Sequence, residues 1–117
     1  MTGPIAVVGL GPAGLDRLLP AAAAVLDDPA VTVLVRTLRH PAAAPLAARR
    51  DVTGCDDLYE SAADHDEVYR RIVERVMEAA AGGPVAYAVP GSATVGERAV
   101  ALLREAAGAA GIPLAVH

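Results

Sequence analysis

Apolar residues fall along this chain in two alternating regimes. Nearly unbroken apolar runs occupy Pro4 to Gly9, Val31 to Val35, Val85 to Val89 and Ile112 to Val116. Strands buried on both faces of a parallel sheet read this way. Between the runs, apolar residues recur at helical spacing. Pro20 fits the first turn of a helix from Pro20 to Leu26, which ends at Asp27-Asp28-Pro29. Pro41 opens a short helix from Ala42 to Arg49, with Pro45 awkwardly inside it. Asp51 to Gly54 reads as a brief edge strand and Asp56 to Ala63 as one helical turn. The clearest helix starts at Asp64, with Glu67 at capping-box spacing. Val68, Ile72, Val76 and Met77 share one face of it, Arg70 faces Glu74 on the other, and Gly82-Gly83-Pro84 stops it. A last helix starts near Thr94, with Glu97 at capping-box spacing, carries the stripe Val95, Ala99, Leu102, Leu103 and Ala106, and ends at Gly111.

Strands and helices thus alternate, which predicts an α/β fold with a mostly parallel sheet, helices on both faces and right-handed crossovers. The 117 residues form one domain, enough to bury roughly 65% of the unfolded surface without disulfide or metal. There is no Trp or Phe and there are three Tyr, so the core is aliphatic and rich in Ala. The net charge of −4 argues against a nucleic-acid surface, although Arg36, Arg39, Arg49 and Arg50 form a local basic cluster. Cys55 is the one cysteine, which suits a reducing compartment. The N-terminal Met-Thr-Gly-Pro does not read as a signal peptide, and no apolar run is long enough for a membrane span. A cytoplasmic protein without membrane partners is therefore expected. The final strand is followed at once by His117, which reads as one lobe of something larger.

Candidate chemistry gathers at two small-residue turns, each following an apolar run. The first, Gly9-Leu10-Gly11-Pro12-Ala13-Gly14, has the spacing of a dinucleotide fingerprint. Pro12 and a helix starting six residues after Gly14 speak against that reading, and Arg36 stands where an acidic residue would contact a ribose. Arg36 would suit an NADP 2′-phosphate, and the alternative is a tight strand-to-helix turn that needs glycine for its geometry. The second turn, Pro90-Gly91-Ser92-Ala93-Thr94, opens a helix whose N–H groups, with the Ser92 or Thr94 hydroxyl, could hold an anion; the alternative makes Thr94 a simple N-cap. His40, beside Arg36 and Arg39, is either an anion ligand or a solvated loop residue. The acidic stretch from Asp56 to Glu67 could hold a hard cation, without calcium-loop spacing, or form a solvated face. His40, His65, His117 and Cys55 share no zinc-site spacing, so no metal is expected. Gly91-Ser92-Ala93 is not a nucleophile elbow.

Val8-Gly9-Leu10-Gly11-Pro12, followed by Leu18-Leu19, resembles the first motif of the tetrapyrrole methylases, V-G-x-G-P-G-D-x-x-L-L-T. Arg36-Thr37-Leu38-Arg39-His40-Pro41 and Asp56-Asp57-Leu58-Tyr59-Glu60 resemble the branch fused to MazG-type nucleoside triphosphate pyrophosphohydrolases. Tyr87-Ala88-Val89-Pro90-Gly91 resembles that branch's third motif, and Gly111-Ile112-Pro113-Leu114 its fifth strand. The resemblance covers nearly the whole chain and implies a three-layer, five-stranded sheet of order 3-2-4-1-5, the two glycine turns side by side at one rim. It also implies an N-terminal lobe of an S-adenosylmethionine-dependent methyltransferase, without its second lobe and inactive alone, and a tendency to homodimerise. Pro90, Gly91, Ser92 and Ala93 would line the cofactor side, and Gly9, Gly11, Pro12 and His40 the cleft for a small-molecule substrate. Ala13, Gly14, Ser92 and Ala93 depart from the pattern. Those departures favour the alternative, a non-catalytic regulatory or assembly module of a MazG-type pyrophosphohydrolase.

Overall fold

A computed structural model describes residues 2–11, 18, 20–39, 41–90 and 98–117. The element order is β1 (Ile5–Gly9), α1 (Pro20–Asp27), β2 (Thr32–Val35), α2 (Ala43–Arg49), β3 (Thr53–Gly54), α3 (Asp56–Ser61), α4 (His65–Ala81), β4 (Val85–Val89), α5 (Arg98–Ala110) and β5 (Leu114–Val116). All pairings are parallel, in the order β3-β2-β4-β1-β5. The expected α/β fold and strand order are therefore present.

Side chains alternate across each strand and divide between two cores. Val85, Tyr87 and Val89 of β4, with Ile5 and Val7 of β1 and Leu34 of β2, pack with Val68, Ile72 and Val76 of α4 and Val100 and Leu103 of α5. Ala86 and Ala88, with Val8, Val33 and Val35, pack on the other face with Ala22 and Leu26 of α1 and Leu46 of α2. β4 is the central strand and all five of its residues are buried, which explains its unbroken apolar run. The short Ala86 and Ala88 side chains let α1 and α2 lie close to the sheet.

Local signals account for most element ends. Asp64 accepts a hydrogen bond from the Glu67 N–H at 2.8 Å, capping α4. The return bond differs from a standard capping box, because Glu67 Oε2 accepts from the Ala63 N–H at 2.6 Å, one residue early. The ion pair on this helix joins Arg71 to Glu67 at 2.7 Å. Arg70, expected to face Glu74, donates instead toward the Asp66 carbonyl at 3.4 Å. Pro45 is the third residue of α2, within the first turn, where a missing N–H costs no intrahelical bond. The start expected for the last helix, Thr94 and Glu97, and its Val95 lie outside the described residues. The buried stripe of α5 is Ala99, Val100, Leu103 and Ala107. Leu102 and Ala106 are only half-buried and face an α4–α5 groove with Val73, so the predicted stripe was rotated toward α4. A Schellman turn closes α5, with Ile112 N–H donating to Ala107 and Gly111 N–H to Gly108.

Candidate functional site

In an open parallel sheet, ligands bind beyond the carboxyl ends of the strands, where neighbouring connections leave toward opposite faces. Here that place is the end of β4. The chain leaving β4 goes to α5 on one face; the chains leaving β1 and β2, its two neighbours, go to α1 and α2 on the other. Gly9 pairs with Val89 in register, so Gly9, Leu10 and Gly11 stand at the same rim as Pro90. Leu10 N–H donates to the Val89 carbonyl at 2.8 Å and joins the two exits. Gly9 N–H donates to the His117 carbonyl at 3.1 Å, and His117 N–H to Val7 at 2.7 Å, bringing the chain end to this rim.

Gly11 has φ +69°, a left-handed conformation that favours glycine, and a Cβ built there meets no atom of the described residues within 4 Å. Of the residues singled out in sequence, Gly9, Gly11 and Pro90 are at this rim. Pro12, His40, Gly91, Ser92, Ala93 and Thr94 lie outside the described residues.

The basic cluster does not hold together. Arg49 pairs with Asp27. The Arg50 guanidinium donates to the Leu26 and Asp28 carbonyls at 2.9 and 2.8 Å, and to that of Val31. These two arginines fasten the end of α2 to the α1–β2 turn, at the amino end of the sheet. Arg36 and Arg39 follow β2 and stand at the carboxyl end. Helix α2 runs back against the strand direction, so residues thirteen or fourteen positions along reach the opposite rim.

Arg36, Thr37, Arg39, Asp56, Tyr59 and Glu60 line a cavity of about 320 Å³ beyond the ends of β2 and β3. Arg36 N–H donates to the Ala88 carbonyl at 2.9 Å, which ties this wall to the end of β4. Asp56 accepts from the Leu38 N–H at 2.9 Å and the Thr37 hydroxyl at 2.7 Å. The Leu38 bond first, then the Thr37 bond and the Arg39 charge, hold its carboxyl below the usual carboxylate range against the opposing cost of burial. Asp56 is thus a latch across the mouth of the β2–α2 connection. The expectation of a solvated acidic face fails at Asp56, which is half-buried and held by two donors, whereas Asp57 is exposed but ion-paired. Arg75 of α4 grips Asp57 through two bonds of 2.9 and 2.8 Å and reaches the Gly54 carbonyl at 3.2 Å; this grip holds the Asp57 carboxyl low. Cys55, immediately before Asp56 and Asp57 in the chain, is buried, and burial pushes its thiol up to about 11 against the opposing Arg75 charge. A thiol so held is not a nucleophile at neutral pH. Among the described residues, no three His, Cys, Asp or Glu side chains gather as metal ligands, and no helix is long and apolar enough to cross a membrane.

The fold is similar to that of uroporphyrin-III-C-methyltransferase from Thermus thermophilus, with a TM-score of 0.69 and 27% sequence identity, over 99% of this chain and 47% of that one. It is methyltransferase-like in architecture. In sequence the chain is 39% identical over 106 residues to the uncharacterized protein YabN of Bacillus subtilis (strain 168), covering 90% of this chain and 22% of that relative. The chain therefore spans about a fifth of the relative it matches in sequence and under half of the one it matches in structure. No protein-family model matches it.

Proposed function

We propose that this chain is the N-terminal lobe of a methyltransferase of the tetrapyrrole methylase type, which binds S-adenosylmethionine once a second lobe closes over it. The observation that carries this reading is the crevice at the end of β4, on a fold that matches a uroporphyrin-III-C-methyltransferase along 99% of this chain. The joined exits of β1 and β4 fit a ligand lying across the rim. Pro90, Gly91, Ser92 and Ala93 would bind the donor side, and Gly9, Gly11, Pro12 and His40 the acceptor side. The donor, when bound, supplies an electrophilic methyl group on a sulfonium. The residues of this lobe then act by orientation and exclusion of water, which is the main source of rate in such a transfer. Because the donor site is shared with the second lobe, the 117 residues alone turn over no substrate.

The test is isothermal titration of S-adenosylhomocysteine into a two-lobe protein in which this chain is followed by a second methylase lobe. Saturable heat is expected there, with at most weak binding to the lobe alone. Absence of heat at millimolar ligand would count against the reading.

A second reading rests on Ala13, Gly14, Ser92 and Ala93, which depart from the methylase pattern. It makes the lobe a non-catalytic regulatory or assembly module attached to a MazG-type nucleoside triphosphate pyrophosphohydrolase. Downstream sequence discriminates: a P-G-x-S second lobe supports the first reading, and an E-x-x-E helix set directly after this lobe supports the second.

A further inference from the structure

We propose that the outer edge of β5 is a docking site for a partner protein, which adds an extended segment to the sheet as a sixth strand and sets a carboxylate against Arg104. This goes beyond the methyl-donor reading and does not depend on it, since neither this edge nor Arg104 belongs to the crevice at the end of β4. Among the described residues β5 pairs with β1 alone and ends the strand order. The Pro113 carbonyl accepts from the Ile5 N–H, and His117 donates to Val7 and accepts from Gly9. Backbone groups alternate in direction along a strand, so Leu114 and Val116 point their N–H and C=O groups away from β1. Such an open row is a template for a further strand, supplied by an extended peptide in β-augmentation. Proteins usually blunt such edges with charge, proline or a bulge. The run Ile112-Pro113-Leu114-Ala115-Val116 carries no charge, and its register with β1 is continuous. The missing N–H of Pro113 faces β1, so it takes nothing from the outer row.

Both faces of the edge have room for the side chains of an added strand. Leu114 and Val116 are half-buried and border a groove of about 370 Å³ with Arg104, Ala107 and Gly108 of α5. On the other face, the exposed Ala115 borders an apolar recess of about 310 Å³ with Ala6. An extended chain alternates its side chains between these two spaces. Arg104 decides which chain fits. It is exposed and makes no hydrogen bond or ion pair with the described residues, so it gives the groove an unpaired positive charge. A second copy is disfavoured by that charge. A two-fold axis joining β5 to β5 keeps both α5 helices on one face of the joined sheet, so both Arg104 side chains would flank the seam. Charges of one sign placed together at an interface suppress that pairing. The occupant is therefore a different chain, with an acidic residue on the side that faces α5.

The experiment titrates a synthetic heptapeptide into the ¹⁵N-labelled 117-residue chain at pH 7. The peptide has threonine at its odd positions, valine at the second and sixth, and glutamate at the fourth. Saturable amide shifts and slowed hydrogen exchange are expected at Leu114 and Val116. Ala115 and His117, whose N–H groups face β1, should keep their exchange rates. A peptide N-methylated throughout, which cannot donate to the Leu114 and Val116 carbonyls, should not bind. Arg104→Gln should weaken the midpoint by about threefold, the scale of an exposed ion pair, and a peptide with lysine in place of glutamate should bind wild type more weakly. No movement of Leu114 and Val116 at millimolar peptide would overturn the proposal. So would a methylated or lysine peptide that binds as tightly, or an Arg104→Gln chain that binds like wild type. Shifts of Leu114 and Val116 that grow with protein concentration in the absence of peptide would assign the edge to a second copy and overturn it equally.

Discussion

Asp56 and Cys55, adjacent in sequence, show how the same short stretch yields opposite electrostatics. Asp56 is held by donors, and its carboxyl sits below the ordinary range. Its contribution to stability is therefore present above the ordinary carboxylate value and is lost as the pH falls through its lowered one. Replacing it with Ala leaves the Leu38 N–H and Thr37 hydroxyl without their acceptor. A loss of about 1 kcal/mol in urea unfolding is expected, together with shifted Leu38 and Arg39 amides. Cys55 is raised from 9.0 to about 11 by burial. Its contribution is complete below pH 9 and disappears as pH rises toward 11. At pH 8 its thiolate is about a hundredfold scarcer than that of an exposed thiol. Iodoacetamide should label the native chain far more slowly than the urea-unfolded chain by mass spectrometry. Equal rates would mean that Cys55 is not buried.

At the scale of elements, the signals that are purely local were readable. The Asp64 cap, the Val68-Ile72-Val76 face and the Gly-Gly-Pro stop of α4 each act within one or two turns, and α4 forms as the pattern predicts. Asp64→Ala should cost about 1 kcal/mol, measured by urea unfolding. What escaped was tertiary. The rotated stripe of α5 depends on how that helix leans on α4, and the division of the basic cluster depends on the direction in which α2 returns. Arg50 now reads as a clamp on the Leu26, Asp28 and Val31 carbonyls, and Arg39 as a wall of the cavity. Arg50→Ala should accordingly lower stability by about 2 kcal/mol, a typical figure for hydrogen bonds made by a charged group, while Arg39→Ala leaves the urea midpoint unchanged. Equal effects in the two variants would mean that the cluster is a single surface feature.

For the whole molecule, strand order is the property that brings the ends of β1 and β4, where the two glycine motifs begin, to one rim. Alternation of strands and helices in the sequence dictates a parallel sheet, but it does not say which strands are neighbours. That β4 lies between β1 and β2, and that its exit alone among the three turns to the α5 face, creates the crevice. The resemblance to tetrapyrrole methylases anticipated this order because it draws on solved topology, which spacing alone cannot encode. The candidate site was legible at Gly9, Gly11 and Pro90. Its neighbour was only half so: Arg36 and Arg39 stood out as charges, but the partners Asp56, Tyr59 and Glu60 lie seventeen or more residues away and meet them only through the β2–β3 pairing. The opposite rim carries a separate apolar recess of about 310 Å³, walled by Pro4, Val25, Val31, Pro84 and Pro113. The most direct measurement is therefore where S-adenosylhomocysteine lands on the two-lobe protein, mapped by amide shifts. Movement concentrated at Gly9, Leu10, Gly11 and Val89 is expected. Movement centred on Ala6, Val25, Val31 and Val85, at the opposite rim, would contradict it.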